Sequence, residues 1–336
     1  MKVLFDHSNP FLLAHGGFQI QIEQTKKALE RLGVEVEYLR WWDANQSGDV
    51  IHFFGRPSAG YIERAHAKNI KVVMAELLGG LGARSTASRL LQRTMILSAR
   101  SILPASYLSK LAWDAYRLAD ACIALTAHQA RLMKEMFDGH PEKIYIVPNG
   151  VETVFSNSPS VAREKWLLCT ATITERKRVL ELGQAAINAQ IPLRVIGSPY
   201  FERDPYYRKF AELARSRPDL LQYEGGIQDR EQLATAYRKA RGFVLLSTME
   251  SLSLSALEAA ACECPLLLSD LPWARTTFGE NASYCSVKAS TAETARALRA
   301  FYDSAPSLPL PEKPKTWEEI ARDLQRIYDL VCKTSR

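Results

Sequence analysis

Nowhere in the 336 residues do eighteen uncharged apolar residues follow one another, so no membrane-spanning helix is expected. No run of Lys or Arg reaches five, and a net charge of +6 is too mild to point to nucleic acid, which is not expected as a partner. The opening MKVLFDHSNP breaks its apolar run at Asp6 and does not read as a secretory signal. Cysteine is sparse: the six residues at 122, 169, 262, 264, 285 and 332 form no CxxC pair. A metal cage or disulfide framework is therefore not expected, and small buried thiols in a reducing cytoplasm are the plainer reading. Short repeats and low-complexity tracts are also missing. What remains is ordinary globular material, 47% apolar and 24% charged, long enough at roughly 150 residues per domain for two packed cores.

Strands alternate with helices along the whole chain. MKVLF, VEVEYL, GDVIHFFG, KVVMAELL, ACIALT and KIYIVPNGV read as strands in the first half, with helices at QIEQTKKALERLG, IERAHAKNI, a long region over 86–118, and AHQARLMKEMF. The rhythm restarts at EKWLLCTATI and continues through PLRVIG, LLQYEGG, RGFVLLST and CPLLLSD. This pattern predicts two doubly wound α/β domains. Ser, Asn and Pro cluster over 151–161, and a second Pro-rich break, SAPSLPLPEKPK, precedes a last helix from about Trp317. The expected division is 1–156, completed by 315–336, and 157–314.

Open α/β sheets bind ligands at the carboxyl ends of their strands, so strand-to-helix junctions are where chemistry is expected. Gly16–Gly17 follow the first strand and precede a helix, which suits a phosphate at the helix N-terminus; a loop that needs positive φ explains them as well. TATITERKR places Arg176, Lys177 and Arg178 at another such junction, either to neutralise a diphosphate or as a solvated basic helix entry. After FVLLST, Glu250 lies in the loop and Glu258 about two turns into the next helix, among Ala, Leu and Cys. Glu258 is either the polar face of that helix or a buried carboxylate in need of donors such as sugar hydroxyls. Paired acids also serve as general acid and base, but a helix-buried Glu258 is better placed to grip than to protonate.

The spacing E-x7-E after a strand, the VPNGV turn at 147–151 and YEGGIQDREQLATAYRKARGFVLLST at 223–248 together resemble glycosyltransferase family 4, retaining enzymes of the GT-B fold. GDVIHFFG, PLLLSD and the closing TWEEIARDLQRIYDLV extend the resemblance over essentially the whole chain. It implies two Rossmann-like domains facing a central cleft, the first on the acceptor side and the second binding a nucleotide-sugar donor. The last helix is implied to cross back to the first domain. It implies that Glu258 holds the donor ribose and Glu250 the transferred sugar. The backbone of Ser251, Leu252, Ser253 and Leu254 is implied to approach the sugar and diphosphate, and Ile227 to meet the base. Lys177, with Gly16–Gly17, is implied to contact the diphosphate. The chain departs from the family pattern at Ala171–Thr172, where an arginine is usual and for which Arg176 or Arg178 stands as substitute. It departs again at Ser251–Leu252–Ser253, and at Glu76, where many members carry a histidine. No D-x-D metal clamp is present, so a metal-independent reaction without cofactor is expected. The implied activity is transfer of a hexose-type sugar from a UDP- or GDP-linked donor to a glycan, lipid-linked or small-molecule hydroxyl. A nucleotide-sugar epimerase on the same fold and a non-catalytic nucleotide-sugar binder remain as alternatives.

The acceptor side is marked only by His52 and Glu76, at the ends of two strands. From Leu77 to Leu118 there are six basic residues and one acid, and Arg89, Arg93 and Arg100 share a narrow helical stripe. Two readings of 84–117 stay open: a peripheral contact with an anionic membrane, and ordinary packing onto the sheet. The expected location is cytoplasmic, including the inner face of a membrane.

Overall fold

A computed structural model describes residues 1–7, 11, 16–104, 107–108, 111–156 and 161–333. It divides into two compact units, Met1–Asn149 with Trp317–Arg336, and Gly150–Thr316. The divisions thus fall at 149/150 and 316/317, not at 156/157 and 314/315. Thr153–Ser156 already forms a helix of the second unit, ahead of the polar stretch that marks the junction in the sequence.

In unit 1, strands β1 (Lys2–His7), β2 (Glu35–Tyr38), β3 (Val50–Phe54), β4 (Lys71–Ala75), β5 (Ala121–Ala124) and β6 (Ile144–Ile146) form a parallel sheet in the order β2-β1-β3-β4-β5-β6. β3 and β5 are buried along their whole length and β4 at all but its first residue, as sheets covered on both faces require. The chain steps from β1 outward to β2, then returns to β3 on the other side. Because parallel crossovers are right-handed, that reversal puts α1 (Gly17–Arg31) on one face of the sheet and α2 (Ala59–Ala67) on the other. Helices α3 (Gly79–Gly82), α4 (Thr86–Ile102), α5 (Ala115–Leu118) and α6 (Ala127–Phe137) follow. The long helical region expected over 86–118 is interrupted: α4 stops at Ile102, two residues before Pro104, whose ring disfavours helical backbone just ahead of it.

In unit 2, β7 (Leu167–Thr170), β8 (Leu193–Ile196), β9 (Leu221–Tyr223), β10 (Gly242–Leu245), β11 (Leu266–Ser269) and β12 (Ser283–Cys285) form a second parallel sheet, ordered β12-β11-β10-β7-β8-β9. Its helices are α7 (Thr153–Ser156), α8 (Val179–Asn188), α9 (Pro205–Ser216), α10 (Arg230–Lys239), α11 (Leu254–Ala261), α12 (Pro272–Phe278) and α13 (Thr291–Ser304). β12 is the strand that the sequence pattern does not show; unlike β6 and β9, which are as short, its Ser-Tyr-Cys belongs to no apolar run. The last helix, α14 (Trp317–Lys333), belongs to unit 1 and lies along α1. Its buried Trp317, Ile320, Ala321, Leu324, Ile327, Tyr328 and Val331 form the apolar stripe that holds it there.

The six cysteines are free and five of them are buried. Burial pushes the thiols of Cys122, Cys169, Cys262 and Cys264 up to about 12, which leaves them unreactive.

Candidate functional site

In unit 2 the chain moves from β7 outward through β8 and β9, then returns to β10 on the opposite side of β7. The carboxyl ends of β7 and β10 therefore flank the point where strand order reverses, the place where open α/β sheets leave a crevice. Two loops meet there. The β7 loop ends in a single 3₁₀ turn, Glu175–Lys177, followed by Arg178 in the left-handed region at φ 53°. Arg178 is held in that conformation by donating to the carbonyls of Val287 at 2.9 Å and Ala289 at 3.2 Å. It is therefore committed to the framework, and of the two substitutes for the missing arginine only Arg176 turns to the β10 loop.

Arg176 Nη1 donates to the Met249 carbonyl at 2.7 Å and to Glu250 Oε1 at 2.9 Å, and Lys177 Nζ reaches the same carboxylate oxygen at 2.6 Å. The Thr248 amide donates back to the Arg176 carbonyl at 2.9 Å, which pins the two loops together. The Lys177 and Glu250 side chains are each 11% exposed, so water screens this pair far less than a surface pair. Burial pushes the Glu250 carboxyl upward, but Lys177 and Arg176 more than offset it, and the group stays below the usual carboxylate range.

The second glutamate stands in a different setting. Glu258 is the fifth residue of α11 and is buried, with both oxygens occupied by protein donors. Arg230 Nη2 reaches Oε1 at 2.5 Å and the Tyr237 hydroxyl donates to Oε2 at 2.9 Å. With its only proton committed there, Tyr237 accepts from Thr170 Oγ1 at 2.5 Å, at the end of β7. Arg230 also donates to Glu152 Oε1 at 2.7 Å and lies over the Phe155 ring. Burial raises the Glu258 pKa, and Arg230 and Tyr237 offset this only in part. So the donors that a buried carboxylate requires are supplied by the chain itself. Sequence reading does not single out Arg230, Tyr237, Thr170 or Glu152. The signal available was the spacing of Arg230 and Tyr237, seven apart and so on one face of α10.

The guanidinium of Arg163 bridges the ends of α11 and α10. It donates to the carbonyls of Ala240 at 2.8 Å, Arg238 at 3.0 Å and Glu263 at 2.7 Å, groups left over at the C-termini of both helices. Arg163→Ala is expected to cost about 1 kcal/mol of unit 2 stability, read as a lower denaturation midpoint; an unchanged midpoint would show that water replaces the clamp.

Ser253 caps α11, accepting from the Ala256 amide at 3.4 Å, and both Leu252 and Ser253 are buried, so this segment turns its side chains inward. Ser251 and Leu254 are half-buried. Ile227 is half-buried in the loop after β9, behind Gly225 at φ 69° and Gly226, where a Cβ would come within 2.6 Å of Ser198 Oγ. In unit 1, Gly16 caps α1 at φ 135°, a conformation that favours glycine, and Gly17 is the first residue of the helix.

The two residues expected on the acceptor side, His52 and Glu76, are both engaged by groups of the protein. His52 lies in the middle of β3, not at a strand end: it is buried, stacked on Phe54, with Nδ1 2.6 Å from the Tyr328 hydroxyl of α14. Burial drives its pKa down to about 3. Glu76 follows β4 and is held by Arg56 in a bidentate pair at 2.7 and 2.9 Å, with the Tyr116 hydroxyl also donating to it. Arg56 in turn lies over the Tyr116 and Phe137 rings, so this carboxylate closes an internal network.

The arginine stripe of α4, for which two readings stood open, meets partners within the protein. Arg89 faces His128, at 3.5 Å, and Arg93 and Arg100 pair with Asp138, the C-cap of α6. The stripe therefore packs inward on α6 instead of facing out.

Among the described residues, no group of three or more His, Cys, Asp or Glu is arranged to hold a metal ion.

Two solved structures share this architecture over their full length. Sucrose-phosphate synthase from Thermosynechococcus elongatus superposes with a TM-score of 0.67 at 16% identity, covering 99% of this chain and 100% of that one. Anabaena HepE, solved in complex with UDP-glucose, gives 0.64 at 14%, covering 99% of each. The fold is therefore GT-B. The D-inositol 3-phosphate glycosyltransferase of Geodermatophilus obscurus is 26% identical across 54% of this chain, a match that spans less than half, 45%, of that protein. The family model of glycosyl transferases group 1 matches residues 151–324, more than half of the chain. The chain belongs to that family.

Proposed function

We propose that this protein transfers a hexose-type sugar from a UDP- or GDP-linked donor to a hydroxyl of a glycan, lipid-linked or small-molecule acceptor, with retention and without a metal. Unit 2 takes the donor and unit 1 the acceptor side. The observation that carries the reading is the convergence of Lys177, Arg176 and Glu250 where strand order reverses, beside the start of α11. As the bond between the anomeric carbon and the diphosphate oxygen breaks, negative charge builds on the diphosphate, and fixed cations there lower the barrier. Lys177 and Arg176, with the backbone of Ser253 and Leu254 and of Gly16–Gly17, take the phosphates. Glu250, Ser251 and Leu252 take the sugar, Glu258 the ribose and Ile227 the base. The acceptor oxygen attacks on the face the diphosphate leaves, and its proton passes to the departing phosphate. Glu250, held ionised by two cations, orients sugar hydroxyls instead of protonating or attacking.

A thermal-shift panel of UDP, GDP and their sugars tests this: a ligand at about 100 times its Kd adds about 2.7 kcal/mol, a clear rise in Tm. No rise with any of them rejects the reading. Given a donor, Glu250→Gln is expected to lower kcat by about 10²-fold while its Kd moves by no more than about threefold; equal losses in both would make Glu250 a binding residue only. A lipid-linked acceptor and a peripheral membrane contact through 84–117 belong to the same proposal.

A further inference from the structure

Trp41 and Trp42, adjacent in the loop after β2, are 84% and 82% exposed, more than any other large apolar side chain among the described residues. Burying either indole would stabilise the fold, so leaving both in water calls for another reason. The loop that carries them is tied to itself. The Arg40 amide donates to Gln46 Oε1 at 2.8 Å, and Gln46 Nε2 donates to the Tyr38 carbonyl at 3.0 Å and to Glu37 Oε2 at 2.8 Å. The Asp43 amide closes a turn onto the Arg40 carbonyl at 3.1 Å. A ligand that meets these indoles therefore has little loop entropy left to remove. The loop also leaves the carboxyl end of its sheet, where open α/β sheets take ligands. There the Tyr38 ring meets His7 and Phe11 edge-on, with centroids 6.3 and 6.2 Å away, so it adjoins the segment that follows β1. β1 is the strand at which the order reverses, with β2 on one side and β3 on the other.

The charges around the pair narrow what can lie on it. Arg40 pairs with Glu37 and with Asp43, each at 2.8 Å, and Lys2 pairs with Glu37 at 2.6 Å and Glu35 at 2.9 Å. Both cations are thus engaged, and the acids Glu35, Glu37, Asp43 and Asp49 outnumber them. An anionic bilayer would meet acids here and no free cation, which argues against it. Two indoles offer about 300–500 Å², short of the ~800 Å² per partner that a stable protein interface buries, which argues against a second copy. The groups left free are two π faces and the carboxamide of exposed Asn45, whose own hydrogen bond, to Asp43, is made by its backbone amide. An uncharged saccharide matches that set. The C–H face of a pyranose is apolar and its hydrogens are slightly positive, so it lies on the negative face of an indole. Its hydroxyls both donate and accept, as a carboxamide does. We infer that Trp41 and Trp42 form a stacking platform on unit 1 for a neutral oligosaccharide. Calling that oligosaccharide the acceptor rests on the transferase reading; the stacking itself does not.

The test is titration of the full chain with maltohexaose, cellohexaose and chitohexaose, followed by tryptophan emission and by calorimetry. The expected result is saturable binding of at least one of them, insensitive to salt because the contact is uncharged. Trp41→Ala and Trp42→Ala are each expected to weaken it about tenfold, whereas Trp41→Phe with Trp42→Phe keeps smaller π faces and retains part of the affinity. Both side chains are exposed, so the variants should keep their Tm and their nucleotide shift; a lowered Tm calls for Trp41→Gln with Trp42→Gln in their place. No binding of any of the three sugars, or binding that the variants retain, overturns the proposal. So does partition onto phosphatidylglycerol vesicles, or self-association seen by sedimentation velocity, that the variants abolish. Nucleotide shifts on the same samples separate the two ideas. Saccharide binding without any nucleotide shift would sink the transferase reading and leave the platform standing; a nucleotide shift without saccharide binding would do the reverse.

Discussion

Glu258→Ala will destabilise unit 2 and weaken donor binding together. The substitution removes the acceptor that Arg230 and Tyr237 share, at 2.5 and 2.9 Å. Tyr237 can turn its proton to Thr170, but Arg230 keeps only Glu152, at 2.7 Å. Breaking a fully buried pair from one side costs about 3–5 kcal/mol. The Arg230 side chain is 32% exposed, so water recovers part of that, and a loss of about 2–3 kcal/mol is expected from denaturant unfolding. Glu258→Gln keeps the shape and one acceptor and should lose less. If the alanine variant loses this stability yet binds nucleotide as tightly as the parent, the ribose assignment is wrong and Glu258 is a structural residue. Arg230→Ala supplies the contrast: it leaves the carboxylate its Tyr237 donor but removes its counter-charge.

The second large effect is acid sensitivity seated at His52. Its folded-state pKa is pushed down to about 3 by burial, from an ordinary 6.5. Below pH 6.5 the unfolded chain takes up a proton that the native state refuses until about pH 3, so the unfolded state binds more protons throughout that window. Stability must therefore fall as pH falls, by about 1 kcal/mol per unit once well below 6.5. His128, lowered by burial and by Arg89, contributes with the same sign in this window, so His52 is read from the difference between parent and variant over pH 7 to about pH 5. His52→Leu combined with Tyr328→Phe removes both partners of the 2.6 Å bond without leaving an orphan. The paired variant is expected to show a flatter Tm profile over that interval. Parallel profiles for parent and variant would place the acid sensitivity elsewhere.

These two residues show what a linear reading can and cannot resolve. Both were visible as polar groups in apolar surroundings, a property of neighbours in sequence. What each polar atom bonds to depends on residues far away in the chain: Tyr328 lies 276 positions from His52, and Arg230 lies 28 from Glu258. For Glu258 the sequence leaves the donors unnamed. The chain supplies two, so the ligand has to share that carboxylate with Arg230 if it meets it at all.

Strand–helix alternation, a local consequence of period and turn chemistry, was enough by itself to determine two doubly wound α/β units. So were eleven of the twelve strands and the placement of Lys177 and Glu250 at strand ends. A helical wheel also shows that α4 carries an arginine stripe, Arg89, Arg93 and Arg100. Which way that stripe faces was decided only by tertiary structure. Asp138 and His128 come from α6, and they draw the arginines inward and leave the leucines to solvent. Amphipathicity fixes the two faces of a helix; the charges of the surface beneath it choose between them.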